Sequence, residues 1–273
     1  GVEIVVEGTR ESISSFMIQL EKERPPTSVV HQVDATYSQE TREFKQFQIL
    51  ESDSSRVHAG SIIPPDIAIC DNCLHELRDP RDRRHSYFFI TCTDCGPRYT
   101  IIEALPYDRP RTTMRDFELC DVCLGEYTDP SNRRFHAQTV ACVNCGPSVT
   151  LHRWDGQRVD STDPVREAGR LLERGHIVAV KGNGGFHLAS STILDEPIVR
   201  LRNTKSRFQK PFAIMARDLQ AARSFAEVTR VEHALLTSYI RPIVLLRKRT
   251  DFDLSGEIAP GLHNIGVMLP YTG

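Results

Sequence analysis

The chain has 273 residues, with 34 Lys plus Arg against 36 Asp plus Glu, a net charge of −2, 40% hydrophobic and 26% charged residues. That balance excludes a disordered chain and gives no general case for nucleic-acid binding, and no apolar run reaches the ~20 residues that cross a bilayer. The opening Gly1-Val2-Glu3-Ile4 has neither a basic n-region nor an apolar h-region, so we expect no signal peptide, a cytoplasmic setting and an excised piece of a longer protein.

Residues 1–52 read as a small α+β unit. Val2 to Glu7 has strand composition and stops at Gly8. Thr9 can cap a helix whose Ile13, Phe16, Met17 and Leu20 recur at i, i+3, i+4 and i+7, the spacing of one helix face. Pro25-Pro26 ends it. Residues 29–33 and 44–49 are two further predicted strands, the last alternating apolar and polar side chains. A β-α-β-β run of this length buries little core by itself. Residues 51–65, rich in Ser and ending Pro64-Pro65, read as a linker.

All eight cysteines follow, as four C-x-x-C pairs: Cys70/Cys73, Cys92/Cys95, Cys120/Cys123 and Cys142/Cys145. In each half, 18 residues separate one pair from the next, and the halves are offset by 50 residues. At that offset residues 70–100 match 120–150 at 14 of 31 positions, which marks an internal duplication. Two intervening residues let one tight turn aim both sulfurs at one ion, and an excursion of 15–20 residues brings back the second pair, the pattern of a four-thiolate zinc site. A Gly after the last Cys of each half suits that turn, because it tolerates positive φ. We therefore expect two structural zinc ions, with no open coordination position, stabilising modules of little core by on the order of 10 kcal/mol. Equal spacing favours pairing within each half, although pairing across halves also satisfies the count. Disulfides or redox-active thiols are the alternative, disfavoured without a secretory signal. His85 and His136 occupy non-equivalent repeat positions and are not expected to be ligands.

From Asp163 an α/β pattern begins. Asp163 and Pro164 open a helix that Gly175 closes. Residues 177–180 read as a buried strand ending at Lys181-Gly182-Asn183-Gly184-Gly185, and Asp195-Glu196-Pro197 starts another helix. Residues 212–215 and 243–246 are further strands, with helical patterns near 218–226 and 230–238. Residues 200–217 hold Arg200, Arg202, Lys205, Arg207, Lys210 and Arg217 and no acidic side chain. Beside a Gly-rich loop this is either a polyphosphate site or a solvated basic face. The loop has neither the P-loop nor the dinucleotide spacing.

Cys142-Val143-Asn144-Cys145-Gly146-Pro147, with Leu105-Pro106-Tyr107-Asp108-Arg109 before it and Arg133-Arg134-Phe135-His136-Ala137-Gln138 between, resembles the zinc-finger region of the HypF family of carbamoyltransferases. Gly184-Gly185-Phe186-His187-Leu188-Ala189, the 205–215 segment and Arg241-Pro242-Ile243-Val244-Leu245-Leu246 resemble that family's YrdC-like domain. Residues 1–50 resemble the latter part of its acylphosphatase-like domain. The resemblance implies a multi-domain α+β chain. Its parts would be a partial ferredoxin-like acylphosphatase unit at 1–52, a duplicated zinc-finger region at 66–150, and the N-terminal part of a YrdC-like nucleotide-binding α/β domain at 160–273. It implies hydrolysis of carbamoyl phosphate, adenylation of the carbamate with ATP and Mg²⁺, and transfer to the C-terminal Cys of a HypE-type acceptor during maturation of nickel-iron hydrogenases. Lys205, Arg207 and Lys210 would contact ATP phosphates, with Lys181 and its glycines in the same cleft. The acylphosphatase anion loop, the Ser-x-Asn segment of the YrdC-like domain and the transfer domain find no match here, so no residue is assigned as catalytic. The absent anion loop argues against a free-standing acylphosphatase, and a tRNA-modifying YrdC enzyme would leave the fingers unexplained. A non-enzymatic zinc-finger module for protein or nucleic acid is the competing reading, motivated by Arg81, Arg83, Arg84, Arg133 and Arg134. Interspersed Asp71, Asp79, Asp82 and Asp94 and few stacking aromatics weigh against nucleic acid.

Overall fold

A computed structural model of the chain describes residues 2–24, 28, 30–39, 44–49 and 63–272. The N-terminal unit contains helix α1, Arg10–Lys22, capped as expected by Thr9, whose Oγ1 accepts from Ser12 N at 3.2 Å. None of its residues is buried. The three predicted strands are not formed: among the described residues of 2–49 there is no β-ladder, and Val2, Ile4, Phe44, Phe47 and Ile49 are exposed. Alternation decides which side chains share a face, but a strand exists only where a neighbour accepts and donates its backbone hydrogen bonds. Val29 and most of the predicted linker, residues 51–62, lie outside the described residues.

The cysteine region folds as two copies of one pattern. Helices α2 (Asp71–Arg78) and α3 (Asp121–Thr128) each begin immediately after the first cysteine of their half. Each is followed by a turn in which one residue adopts positive φ: Ser86 at 57° and, fifty residues later, His136 at 50°. Their amides donate to equivalent carbonyls, Leu77 O and Tyr127 O, both at 2.9 Å. Ile69, Tyr87, Phe89, Ile90, Ile101 and Met114 form a small core around Cys73, Cys92 and Cys95. The connecting segment is held by Arg109, whose guanidinium donates to Gln138 O, Val140 O and Phe117 O at 2.7–2.9 Å.

The remainder is mixed helix and sheet. A short hairpin pairs β1 (Leu151–His152) with β2 (Arg158–Val159). Helix α4 (Pro164–Glu173) has the expected Asp163 cap, and Gly175 follows at φ +82°. Strand β3 (Val178–Lys181) pairs antiparallel with β4 (Phe186–Ala189), the glycines forming the turn. The expected burial of 177–180 is not observed. This pair is a separate two-stranded ribbon, and Val180, Phe186 and Leu188 are exposed. A continuous apolar run marks a strand without stating what covers it. Helices α5 (Asp195–Thr204), α6 (Leu219–Phe225) and α7 (Arg230–Thr237) accompany a four-stranded sheet of β5 (Ala213–Met215), β6 (Ala226–Glu227), β7 (Val244–Lys248) and β8 (Asn264–Met268). Its order is β5-β8-β7-β6, with β5 and β8 parallel and the other pairs antiparallel. One face carries the core: Ile198, Ile214, Leu236, Leu246, Ile265 and Val267. Two backbone bonds join this unit to the finger region, Ala68 N to Tyr239 O at 2.9 Å and Ile69 N to Tyr271 O at 3.2 Å. No helix among the described residues is long and apolar enough to cross a membrane.

Candidate metal centre and basic loop

The eight thiols gather into two groups, Cys70, Cys73, Cys92, Cys95 and Cys120, Cys123, Cys142, Cys145, with the sulfurs of each group within 4.8 Å of one another. Pairing is therefore local to each half. None is disulfide-bonded. The sulfur separations decide what the groups suit. Cys70–Cys92, Cys92–Cys95 and Cys73–Cys95 are 3.7, 3.8 and 3.5 Å apart, and Cys120–Cys142 and Cys142–Cys145 are 3.8 and 3.7 Å apart. Thiolates about 2.3 Å from a shared tetrahedral ion lie about 3.8 Å from each other, so these five separations suit a zinc shared within each group.

Helix starts place the first pair of each half. Cys70 is the N-cap of α2, and its Sγ accepts from Cys73 N at 3.5 Å. The four sulfurs titrate together: hydrogen bonds from Cys73, then Cys92 and Cys95, hold the Cys70 thiol low, and the same contacts push Cys73 and Cys95 up. The glycines after each second pair have different reasons. Gly96 has φ +102°, as expected. Gly146 does not adopt positive φ; a Cβ there would collide with Tyr87 Oη and lie 2.5 Å from Ala141 Cβ.

The arginines cross between the halves. Arg83 Nη2 donates to Cys123 Sγ at 2.8 Å and to Glu126 Oε2 at 3.1 Å. Fifty residues on, Arg133 Nη2 donates to Cys73 Sγ at 3.1 Å and Arg133 Nε to Glu76 Oε1 at 3.0 Å. The adjacent pair repeats the exchange: Arg84 Nε donates to Ala141 O at 2.9 Å and Arg134 Nε to Thr91 O at 3.0 Å. Arg84 also pairs with Glu126, and Arg134 with Glu76. Burial would raise the two carboxyls, but the hydrogen bonds and charge of Arg134 and Arg133 on Glu76, and of Arg84 and Arg83 on Glu126, hold both below the usual range. Four of the five basic residues that motivated a nucleic-acid module are thus engaged by the opposite half: Arg84 and Arg134 are buried, Arg133 is half-buried, and Arg83 is exposed but bonded to Cys123 and Glu126. The fifth, exposed Arg81, pairs with Asp79. Sequence reasoning counted these arginines as surface and did not single out Glu76 and Glu126. Their signal was available: both pairs and the glutamates recur at the fifty-residue offset.

The basic loop is ordered by Arg202, a residue not singled out as a ligand. Its buried guanidinium donates to Arg207 O, Lys210 O, Glu257 O and Ile258 O at 2.6–3.0 Å. Arg207 stacks on Phe212 at 5.3 Å and donates to Pro211 O, while its buried Nε has no partner. Lys205 and Lys210 are exposed. Lys181 lies over the Phe186 ring of its own ribbon, at 5.2 Å, and no hydrogen bond or ion pair joins it to the 205–210 loop among the described residues. A cleft between the finger region and the C-terminal unit is lined by Phe89, Pro97, Asn183, Tyr239, Arg241 and Tyr271. Of the glycine loop only Asn183 reaches it.

Three regions in this order, with paired four-cysteine groups at the centre, define a multi-domain protein of acylphosphatase-like, zinc-finger and YrdC-like parts. The family profiles agree: Acylphosphatase over 1–49, HypF finger over 69–102 and 119–152, and Telomere recombination (Sua5, YciO, YrdC) over 170–273. Over its whole length the chain is similar to HypF carbamoyltransferases. It is 47% identical over 273 residues to carbamoyltransferase HypF2 of Cupriavidus necator and 46% identical over 275 residues to the probable carbamoyltransferase HypF of Methanocaldococcus jannaschii, matching the whole chain and 34% and 36% of those proteins. The crystal structure of T. kodakarensis HypF superposes with a TM-score of 0.89 at 49% identity, over 100% of this chain and 34% of that one. Full-length HypF in its phosphate- and nucleotide-bound form gives 0.88 at 42% identity, over 97% and 34%. The chain thus spans about a third of the length of these relatives.

Proposed function

We propose that this chain is part of a carbamoyltransferase that uses carbamoyl phosphate and ATP with Mg²⁺. The enzyme would form a carbamoyl adenylate and carbamoylate the C-terminal Cys of a HypE-type acceptor for the cyanide ligands of nickel-iron hydrogenases. The single observation that carries this reading is the pair of four-thiol groups, set within a chain that matches HypF proteins from end to end. Each group holds one zinc through its four cysteines. Zinc held this way supplies folding energy and has no open position for substrate. The eight free thiols suit a reducing, cytoplasmic setting.

ATP engages the basic loop. Lys205 and Lys210 present ammonium groups without partners among the described residues, on a loop that Arg202 holds in one shape. Arg207 stands on the same loop, its guanidinium over Phe212 and bonded to Pro211 O. Preorganised cations of this kind stabilise charge on transferring phosphoryl groups. Lys181 joins the site by way of its ribbon. The nucleotide bound by full-length HypF is that protein's own ligand, and it agrees with this reading.

Elemental analysis should find two zinc ions per chain. In the chain extended to the relatives' length, ATP should slow hydrogen exchange across 200–217, and the charge reversals Lys205→Glu and Arg207→Glu should abolish that effect. Metal-free protein would overturn the zinc assignment, and unchanged exchange in the wild type would overturn the nucleotide assignment.

A further inference from the structure

We propose that Arg83 and Arg133 are positioning residues for the metal site of the opposite half, so that each cysteine group is secured by an arginine from the other copy of the repeat. This inference rests on the zinc assignment above. Arg83 lies ten residues beyond Cys73 in sequence, yet its guanidinium reaches Cys123. Cys73 in turn is reached by Arg133. On α3 the acceptors Cys123 and Glu126 are three residues apart, which puts them on one helix face, and α2 repeats this with Cys73 and Glu76. A thiolate and a carboxylate so placed take one guanidinium between them: Arg133 spans them with Nη2 and Nε, the planar fork of Arg, and Arg83 meets both through Nη2.

The physical consequence concerns the ligand sulfur. A divalent ion among four thiolates leaves a doubly negative centre. A charge-assisted hydrogen bond to one sulfur stabilises that charge and fixes the direction of the lone pair toward the metal. Because the donors cross over, the loop after each α-helix is tied to the other group's sulfur. The two halves are therefore not independent fingers on a string. Each one completes the other's site.

The test uses the full 273-residue chain. Timed alkylation with N-ethylmaleimide, mapped by peptide mass, reads which cysteines lose their metal first. In Arg83→Gln, alkylation of Cys120, Cys123, Cys142 and Cys145 should accelerate by roughly tenfold or more, the range for loss of a partner that orients a metal ligand. The group at Cys70 should change far less. Arg133→Gln should give the reverse. With cadmium-113 in place of zinc, each variant should shift the resonance of the opposite site, a signature that loss of overall stability does not produce. Arg83→Lys should recover part of the protection, and Arg81→Gln, which loses only its Asp79 contact, should keep the wild-type pattern. Faster loss from the mutated residue's own half, or equal acceleration of both groups, overturns the crossing while leaving the zinc assignment standing. A wild-type chain that binds no metal overturns both.

Discussion

Arg84, 1% exposed, places two guanidinium nitrogens on the carboxylate of Glu126, forty-two residues away on the other copy of the repeat. The pair is the deepest part of the exchange between halves. Burying two charges brings little net gain, but removing one partner leaves the other uncompensated. Glu126→Ala should therefore destabilise the finger region by about 3–5 kcal/mol. Urea unfolding of the zinc-loaded chain, followed by fluorescence of a finger-region probe, checks this. A loss below about 1 kcal/mol, the scale of a surface ion pair, would contradict the buried-pair account.

Metal removal should unfold one region and spare another. The cysteine-centred core and the sheet core of Leu246, Ile265 and Val267 share no buried residue. Chelation should strip exchange protection from amides in 69–145 and leave protection in β7 and β8. Hydrogen exchange with peptide resolution distinguishes this from a single global transition.

Gly146→Ala should destabilise even though the backbone there is ordinary. Its Cβ would meet Tyr87 Oη and Ala141 Cβ well inside contact distance. Overpacking of this kind costs about 1–3 kcal/mol. Adding Tyr87→Phe should recover only part of the loss, because Ala141 remains. Comparing the single and double variants by thermal unfolding reads the coupling.

Helix α7 should respond to acid through its cap. Glu232 Oε2 accepts from Thr229 N at 2.7 Å, and Thr229 Oγ1 accepts from Glu232 N at 3.3 Å. Hydrogen bonding to the Thr229 side chain and amide holds this carboxyl below its ordinary value of 4.5. A depressed carboxyl stabilises the fold above its unfolded value, and that contribution disappears as pH falls through the depressed one. The side-chain carboxyl carbon of Glu232 should titrate below 4.5 by NMR. In Thr229→Ala the midpoint should move up, with helix stability reduced by about 1 kcal/mol.

Much of the site was legible in the chain itself. Four C-x-x-C pairs, their equal spacing and the fifty-residue offset point to which thiols gather, to two groups and to the duplication, because a four-thiolate pattern constrains residues near each other in sequence. Caps were equally readable at Thr9, Asp163 and Gly175, where the hydrogen bonds span three to five residues. What only the folded molecule decided lies at long range. Whether thiols pair within or across halves, whether 177–180 has anything packed on it, and whether 2–7 finds a partner strand all depend on segments far apart in the chain. The arginines carry the same lesson: their local sequence is that of a basic surface, and packing of the two copies sets their guanidinium groups on sulfurs and carboxylates of the opposite half. Local chemistry determines what each segment offers, and tertiary contact determines which distant group accepts it.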